Sequence, residues 1–214
     1  KDMTNLNKRI LTSLIALPLS IFFLVKGGYL LTFFLIFILL AGMHELFSVF
    51  KKIKSILFLS LILILSLFCI YYLSEKEPLL LYFVIAVTIS SDIGGYVFGK
   101  IFKWKKLTKI SPNKTLSGAL GSYFLSIICL FVWHKFNFSG LGAFVYAFFG
   151  TIIFSTVAQA GDLIISYFKR LEKIKDAGKI LPGHGGIFDR IDGLMFVVIV
   201  ASIYYYFGSY YFGI

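Results

Sequence analysis

The sequence predicts an all-α fold: a polytopic transmembrane helical bundle of about seven spans, with no soluble domain. Three observations carry that reading. Of 214 residues, 59% are hydrophobic and 14% charged, whereas soluble domains are about a quarter charged. The apolar residues fall in runs close to the roughly 20 that a spanning helix needs. The basic residues gather in the stretches between alternate runs, as the positive-inside rule requires. A chain with this balance cannot cover its apolar surface with its own polar groups, so lipid must cover it.

Taken in order, the predicted spans are 10–25, 29–50, 56–73, 79–98, 116–133, 141–165 and 193–212. The first follows Lys8 and Arg9 and has the outline of a signal peptide. It lacks a small-residue cleavage site and runs through Lys26-Gly27-Gly28 into the next span, so it is expected to be a mature helix. Several segments would suit buried soluble helices by period alone, but their number and continuous apolarity favour the membrane. The sequence divides into N-terminal helices (1–78), expected to pack and to form a lipid groove, and a C-terminal catalytic region (79–214).

Charge sets the orientation. With a cytoplasmic amino terminus, 18 of the 21 Lys and Arg lie on the inner side, and only Lys26, Lys76 and Lys135 lie outside. The two chemically rich loops, 100–115 and 166–191, then face the cytoplasm. The net charge of +11 is accounted for by this bias. No basic run or recognition motif suggests nucleic acid as a partner. Cys69 and Cys129 lie in apolar stretches without metal-ligand spacing and read as packing residues. No repeat of solenoid period and no internal duplication of the kind found in transporters is visible.

Ionisable groups inside spans are costly and usually functional. Asp92, in Ser90-Ser91-Asp92-Ile93-Gly94-Gly95-Tyr96, and Asp162, in Gln159-Ala160-Gly161-Asp162-Leu163, stand out. Asp162, Ser166, Lys169 and Arg170 follow i, i+4, i+7, i+8 spacing, which puts them on one helical face with the carboxylate deeper. Lys169 and Arg170 alone would read as a snorkelling helix end; Asp162 beneath them favours a site.

The stretch 175–192 is densest in chemistry. It contains Lys175-Asp176-Ala177-Gly178, Pro182-Gly183-His184-Gly185-Gly186 and Asp189-Arg190-Ile191-Asp192. Close glycines let backbone amides approach an anion. Asp176, Asp189 and Asp192 are hard oxygen donors of the kind Mg²⁺ takes, and Lys and Arg neutralise phosphate. Together these are the parts of phosphoryl or nucleotidyl transfer. His184 by itself reads equally as a turn residue, and zinc spacing is absent. Gly94, Gly99 and Lys100 fit the start of a P-loop, but Ile101 stands where Ser or Thr would hold Mg²⁺, and the segment reads as a membrane helix. Gly95 and Gly99 read better as close helix packing. Ile110-Ser111-Pro112-Asn113-Lys114-Thr115 offers a Pro-set turn with a lysine, or simply a topogenic basic loop.

Ser166-x-Phe168-Lys169-Arg170-x4-Lys175-Asp176-x-Gly178-x3-Pro182-x-His184-Gly185-Gly186-x2-Asp189-Arg190-x-Asp192 runs over 27 positions without a gap. It resembles the signature of the phosphatidate cytidylyltransferases, the CDP-diacylglycerol synthases. Asp92-x-Gly94-Gly95-Tyr96-x2-Gly99-Lys100, the 110–115 block and Gln159-x-Gly161-Asp162-Leu163 resemble the same family in the same order. Over the first 80 residues the likeness is loose, though Glu45 is similar to an acidic residue common near the end of the second span.

The resemblance implies cytidylyl transfer from CTP to phosphatidate with Mg²⁺, giving CDP-diacylglycerol and pyrophosphate. It further implies a homodimer in a bacterial inner membrane. Asp162, Asp176 and Asp189 would hold Mg²⁺ directly or through water, with Asp92 contributing from a facing helix. Asp162, Lys169, Arg170, Asp176, His184 and Asp189 are the expected catalytic set. Lys114, Ser166, Lys175, Gly185, Gly186, Arg190 and Asp192 are expected to bind substrate. The chain departs from the family pattern at Ile165 and Ser117, where Glu is common, and at Ala177 and Gly193, where Ser is usual. Its amino end also looks short against the family, which implies a groove of fewer helices. Rival readings stay open: a CTP-using enzyme of ether-lipid or polyprenyl phosphates, a transporter with Asp92 and Asp162 as ion sites, or a non-catalytic scaffold.

Overall fold

The computed structural model describes residues 5–108, 110–137, 141–174, 176–178 and 185–212. Among them lie seven helices: α1 (Asn5–Lys26), α2 (Gly28–Val49), α3 (Ile53–Lys76), α4 (Pro78–Phe102), α5 (Leu116–Asn137), α6 (Leu141–Leu171) and α7 (Phe188–Phe212). An isolated antiparallel bridge joins Lys106 and Thr115. Six helices, α2 to α7, contain segments long and apolar enough to cross a membrane. In α1 the corresponding apolar stretch is the shorter Leu14–Lys26. Phe33, Phe37, Leu40, Leu57 and Leu61 are exposed, as expected of side chains that meet lipid rather than water.

Each helix end follows from local sequence. The α1–α2 turn is a single residue, and both Gly27 and Gly28 carry positive φ (60° and 52°), a region that costs glycine nothing. Pro78 opens α4, where its missing N–H is no loss. α4 ends at Lys103, which adopts a left-handed φ of 50° and donates its N–H to Gly99 O. Lys173, with φ 59°, closes the turn after α6 through a bond to Arg170 O. Both lysines follow the C-terminal ends of helices. Lysine there suits the helix dipole, although glycine would suit the backbone better.

The chain forms two compact units, one of 1–76 with 168–192 and another of 77–167 with 193–214. In the first, α2 packs on α3 and on α1. Gly42 of α2 makes room for Leu63 and Phe188, and Phe58 stacks on Phe168 with centroids 4.9 Å apart. Glu172, just beyond α6, receives the backbone N–H groups of Lys51 (3.3 Å) and Lys52 (3.0 Å) and the Ser55 hydroxyl (3.0 Å). A distant carboxylate thus caps α3, where unpaired N–H groups and the positive dipole end favour an anion.

In the second unit α4 and α5 make the most extensive helix pair. Van der Waals packing rather than hydrophobic transfer holds helices together in lipid, so small residues mark the seam. A Cβ on Gly94 would overlap Gly121 O, and one on Gly118 would come 2.7 Å from Gly95 O. Gly95 and Gly99 meet Ser122 and Thr115 of the same chain, so their smallness serves α4–α5 packing. Buried hydroxyls add cross-links: Ser122 donates to Ser91 O (2.7 Å), and Ser91 and Ser155 lie 3.0 Å apart. Between α6 and α7, Tyr146 and Tyr204 stack 4.2 Å apart and donate to each other's backbone carbonyls.

Candidate active site

Two helices extend beyond their expected spans into the signature segment and carry its polar residues with them. α6 continues to Leu171, and α7 begins at Phe188. Residues 166–171 and 188–191 of the expected cytoplasmic loop are therefore helical. Intrahelical bonding explains the difference: a helix proceeds through polar residues as readily as apolar ones once its face has a partner. Lys175 and His184, with Pro182 and Gly183, lie outside the described residues.

In the first unit the site is built around Asp189, on the first turn of α7. Its Oδ1 accepts from Lys169 Nζ at 2.9 Å. Its Oδ2 accepts the N–H groups of Ala177 (2.8 Å) and Gly186 (2.9 Å). Both charged side chains are about nine-tenths buried. Gly185 has a φ of 86° and lies where an added Cβ would be 2.7 Å from Asp189 Oδ2. Asp189 therefore draws the two ends of the α6–α7 connection together and presents them to the Lys169 ammonium. Asp176 and Arg190 are exposed, and Asp192 is half-buried. Arg170, also exposed, donates to Ile174 O at 2.8 Å.

In the second unit the 110–115 block forms the expected turn, closed by Lys114 N–H to Ser111 O at 3.0 Å. Thr115 then caps α5 through a bond from Gly118 N–H (3.1 Å). This arrangement delivers Lys114 Nζ to Asp162 Oδ2 at 2.5 Å and to Gln159 O at 3.3 Å. Asp92 of α4 interacts electrostatically with both Asp162 and Lys114. Ser166, one turn beyond Asp162, is buried.

Among the described residues no group of three or more His, Cys, Asp or Glu side chains is placed to hold a metal. A two-carboxylate site still suits Mg²⁺, which takes one or two carboxylates and completes its shell with phosphates and water. Asp92 is exposed and Asp162 one-third exposed, so their oxygens are accessible. Asp189, by contrast, has both oxygens engaged by protein donors.

The departures from the family pattern have local explanations. Ile165 is fully buried, and the Ser117 hydroxyl accepts Trp104 N–H at 3.4 Å, tying the start of α5 to the end of α4. Ala177 is fully buried. A Cβ on Gly193 would press on Ala158 O at 3.1 Å, so glycine permits close approach of α6 and α7.

Two residues outside the expected set hold the site together. Glu45 of α2 is buried and accepts Phe188 N–H at 3.2 Å, and Glu172 caps α3. The rule that picks out Asp92 and Asp162 applies equally to Glu45, an acid inside the second predicted span. Glu172 carries no comparable signal, being one acid in a basic segment.

Comparison with known proteins identifies the family. Residues 51–208 match the model of the cytidylyltransferase family. Proteins named phosphatidate cytidylyltransferase are similar: one from Staphylococcus aureus is 41% identical over 143 residues, covering 64% of this chain and 53% of the relative. One from Helicobacter pylori is 44% identical over 115 residues, covering 53% of this chain and 42% of the relative. The chain thus matches about half the length of these relatives. With its matched region holding both the Asp162–Lys114 pair and the loop organised by Asp189, the chain belongs to the cytidylyltransferase family.

Proposed function

We propose that the protein transfers a cytidylyl group from CTP to phosphatidate, with CDP-diacylglycerol and pyrophosphate as products. Family membership over 51–208 supports the cytidylyl chemistry, and the names of the relatives support phosphatidate as acceptor. The observation that carries the reading is the Lys114–Asp162 ion pair, with Asp92 within electrostatic reach of both groups. Carboxylates inside apolar helices have no structural necessity and are costly to maintain.

A phosphate oxygen of phosphatidate attacks the α-phosphorus of CTP. The bond from that phosphorus to the oxygen bridging the β-phosphate breaks, and pyrophosphate leaves with the electron pair. The nucleophile is already anionic, so no general base is needed. The protein must hold two anions together and stabilise charge on the leaving group. In one unit Lys114 is suited to phosphate oxygens; in the other Lys169 is, with Asp189 aiming it. Arg170 and Arg190, exposed beside it, suit the outer phosphates. Mg²⁺, held by Asp92 and Asp162, would neutralise phosphate charge when bound.

The deciding experiment is incorporation of labelled CTP into lipid by purified protein in mixed micelles with phosphatidate. The expected result is CDP-diacylglycerol from the native chain with Mg²⁺, none with EDTA, and a loss of at least 100-fold in Asp162→Asn, the scale of removing a transition-state charge contact. Product with an ether-linked or polyprenyl phosphate but not with phosphatidate would reassign the acceptor. Normal turnover in Asp162→Asn would remove that residue from the site.

A further inference from the structure

The sequence explains the signature glycines by the approach of backbone to an anionic substrate. The structure gives two of them a different neighbour. Glu45 precedes Phe188 by 143 residues, yet its Oε2 accepts the Phe188 N–H at 3.2 Å. The side chain is 1% exposed, and among the described residues its Oε1 has no hydrogen-bond partner. A Cβ on Gly178 would overlap that oxygen, and so would a Cβ on Gly186. The two glycines, one at each end of the connection, therefore leave a slot that the carboxylate fills. Gly186 is engaged on a second side as well, since its N–H is held by Asp189. Two carboxylates thus fasten the same loop: Asp189 takes its amides, and Glu45 fills the space its glycines leave.

We propose that Glu45 is a positioning residue for cytidylyl transfer, and that Gly178 and Gly186 are glycine in order to receive it. Lodged between them, the carboxylate holds the loop and the first turn of α7 in the shape that brings Asp189 to Lys169. The effect on turnover rests on the function proposed above, but the slot itself can be tested without it.

The test is a set of double-mutant cycles between Glu45→Ala and each of Gly178→Ala and Gly186→Ala, with Glu45→Gln as the conservative control. Hydrogen exchange of the 185–190 amides and thermal unfolding in micelles are read alongside kcat and the KM for CTP. Glu45→Ala is expected to speed loop exchange on the order of 10- to 100-fold, the effect of losing a hydrogen bond to a charged group. Exchange within α4 and α5 should stay unchanged. Turnover should fall with the loop, and Glu45→Gln, which keeps an acceptor for Phe188, should restore most of it.

Gly186→Ala should harm the native chain but add almost nothing to Glu45→Ala, because the methyl group then enters an empty slot. If Gly186→Ala fails to fold, its recovery by Glu45→Ala supports the proposal, and no recovery overturns it. Equal harm from Gly186→Ala in both backgrounds, or unchanged loop exchange in Glu45→Ala, also overturns it. Strong coupling in exchange and unfolding with no CTP turnover even in the native chain would support the slot and instead sink the proposed reaction.

Discussion

Lys169 and Asp189 show how little a buried charge tolerates the loss of its partner. Both are about nine-tenths buried, and Asp189 also holds two backbone amides. Lys169→Met would strand the Asp189 carboxylate, at a cost of about 3–5 kcal/mol. Unfolding in micelles should report that loss, and adding Asp189→Asn to Lys169→Met should recover part of it without restoring turnover. Glu172 behaves differently because it is more open to water. Partial desolvation alone would raise its pKa, but the Lys52 N–H, the Ser55 hydroxyl, the Lys51 N–H and the Lys52 charge outweigh it, holding the carboxyl below its ordinary 4.5. A lowered folded-state pKa stabilises the fold above that ordinary value, and the contribution is lost as pH falls through the folded value. The stability difference between the native chain and Glu172→Gln should therefore be full near neutral pH and vanish in acid, as thermal scans across that range would reveal. Asp92, Asp162 and Lys169 are visible in sequence because charge in an apolar run is conspicuous. Their partners are not, since 48 residues separate Lys114 from Asp162 and 20 separate Lys169 from Asp189.

At the scale of helices, the span positions follow from composition, because apolarity over about 20 residues is a local property. Helix ends do not. α6 and α7 run into the polar signature, where tertiary partners sustain the helix. Glycine is similarly ambiguous in sequence: Gly94 opens an apparent P-loop, yet it lies at the tightest contact of α4 with α5. Gly94→Ala should force these helices apart and destabilise the protein by roughly 1–3 kcal/mol, the usual cost of overpacking. Gly142→Ala, in α6 with open space where its Cβ would lie, should be neutral or slightly stabilising. Side-by-side unfolding curves of the two variants distinguish packing from backbone propensity.

Across the whole molecule, orientation rests on the 18-to-3 division of basic residues and is open to direct labelling. Lys26→Cys, Lys76→Cys and Lys135→Cys are expected to react with an impermeant maleimide added to intact cells. Lys52→Cys and Lys106→Cys should react only after permeabilisation; the reverse pattern would invert the topology. Of the two compact units, one holds the signature segment 168–192 with the N-terminal helices, and the other holds the motifs at Asp92, Lys114 and Asp162.

The sequence by itself determined the membrane-spanning helices, the family and the residue types of the chemistry, because apolarity, charge and motif spacing are written locally along the chain. Only the tertiary structure decided which carboxylate meets which lysine, that Glu172 caps α3, and that Gly178 and Gly186 enclose Glu45. Those outcomes depend on contacts between segments far apart in the chain, where distance in sequence carries no information about distance in space.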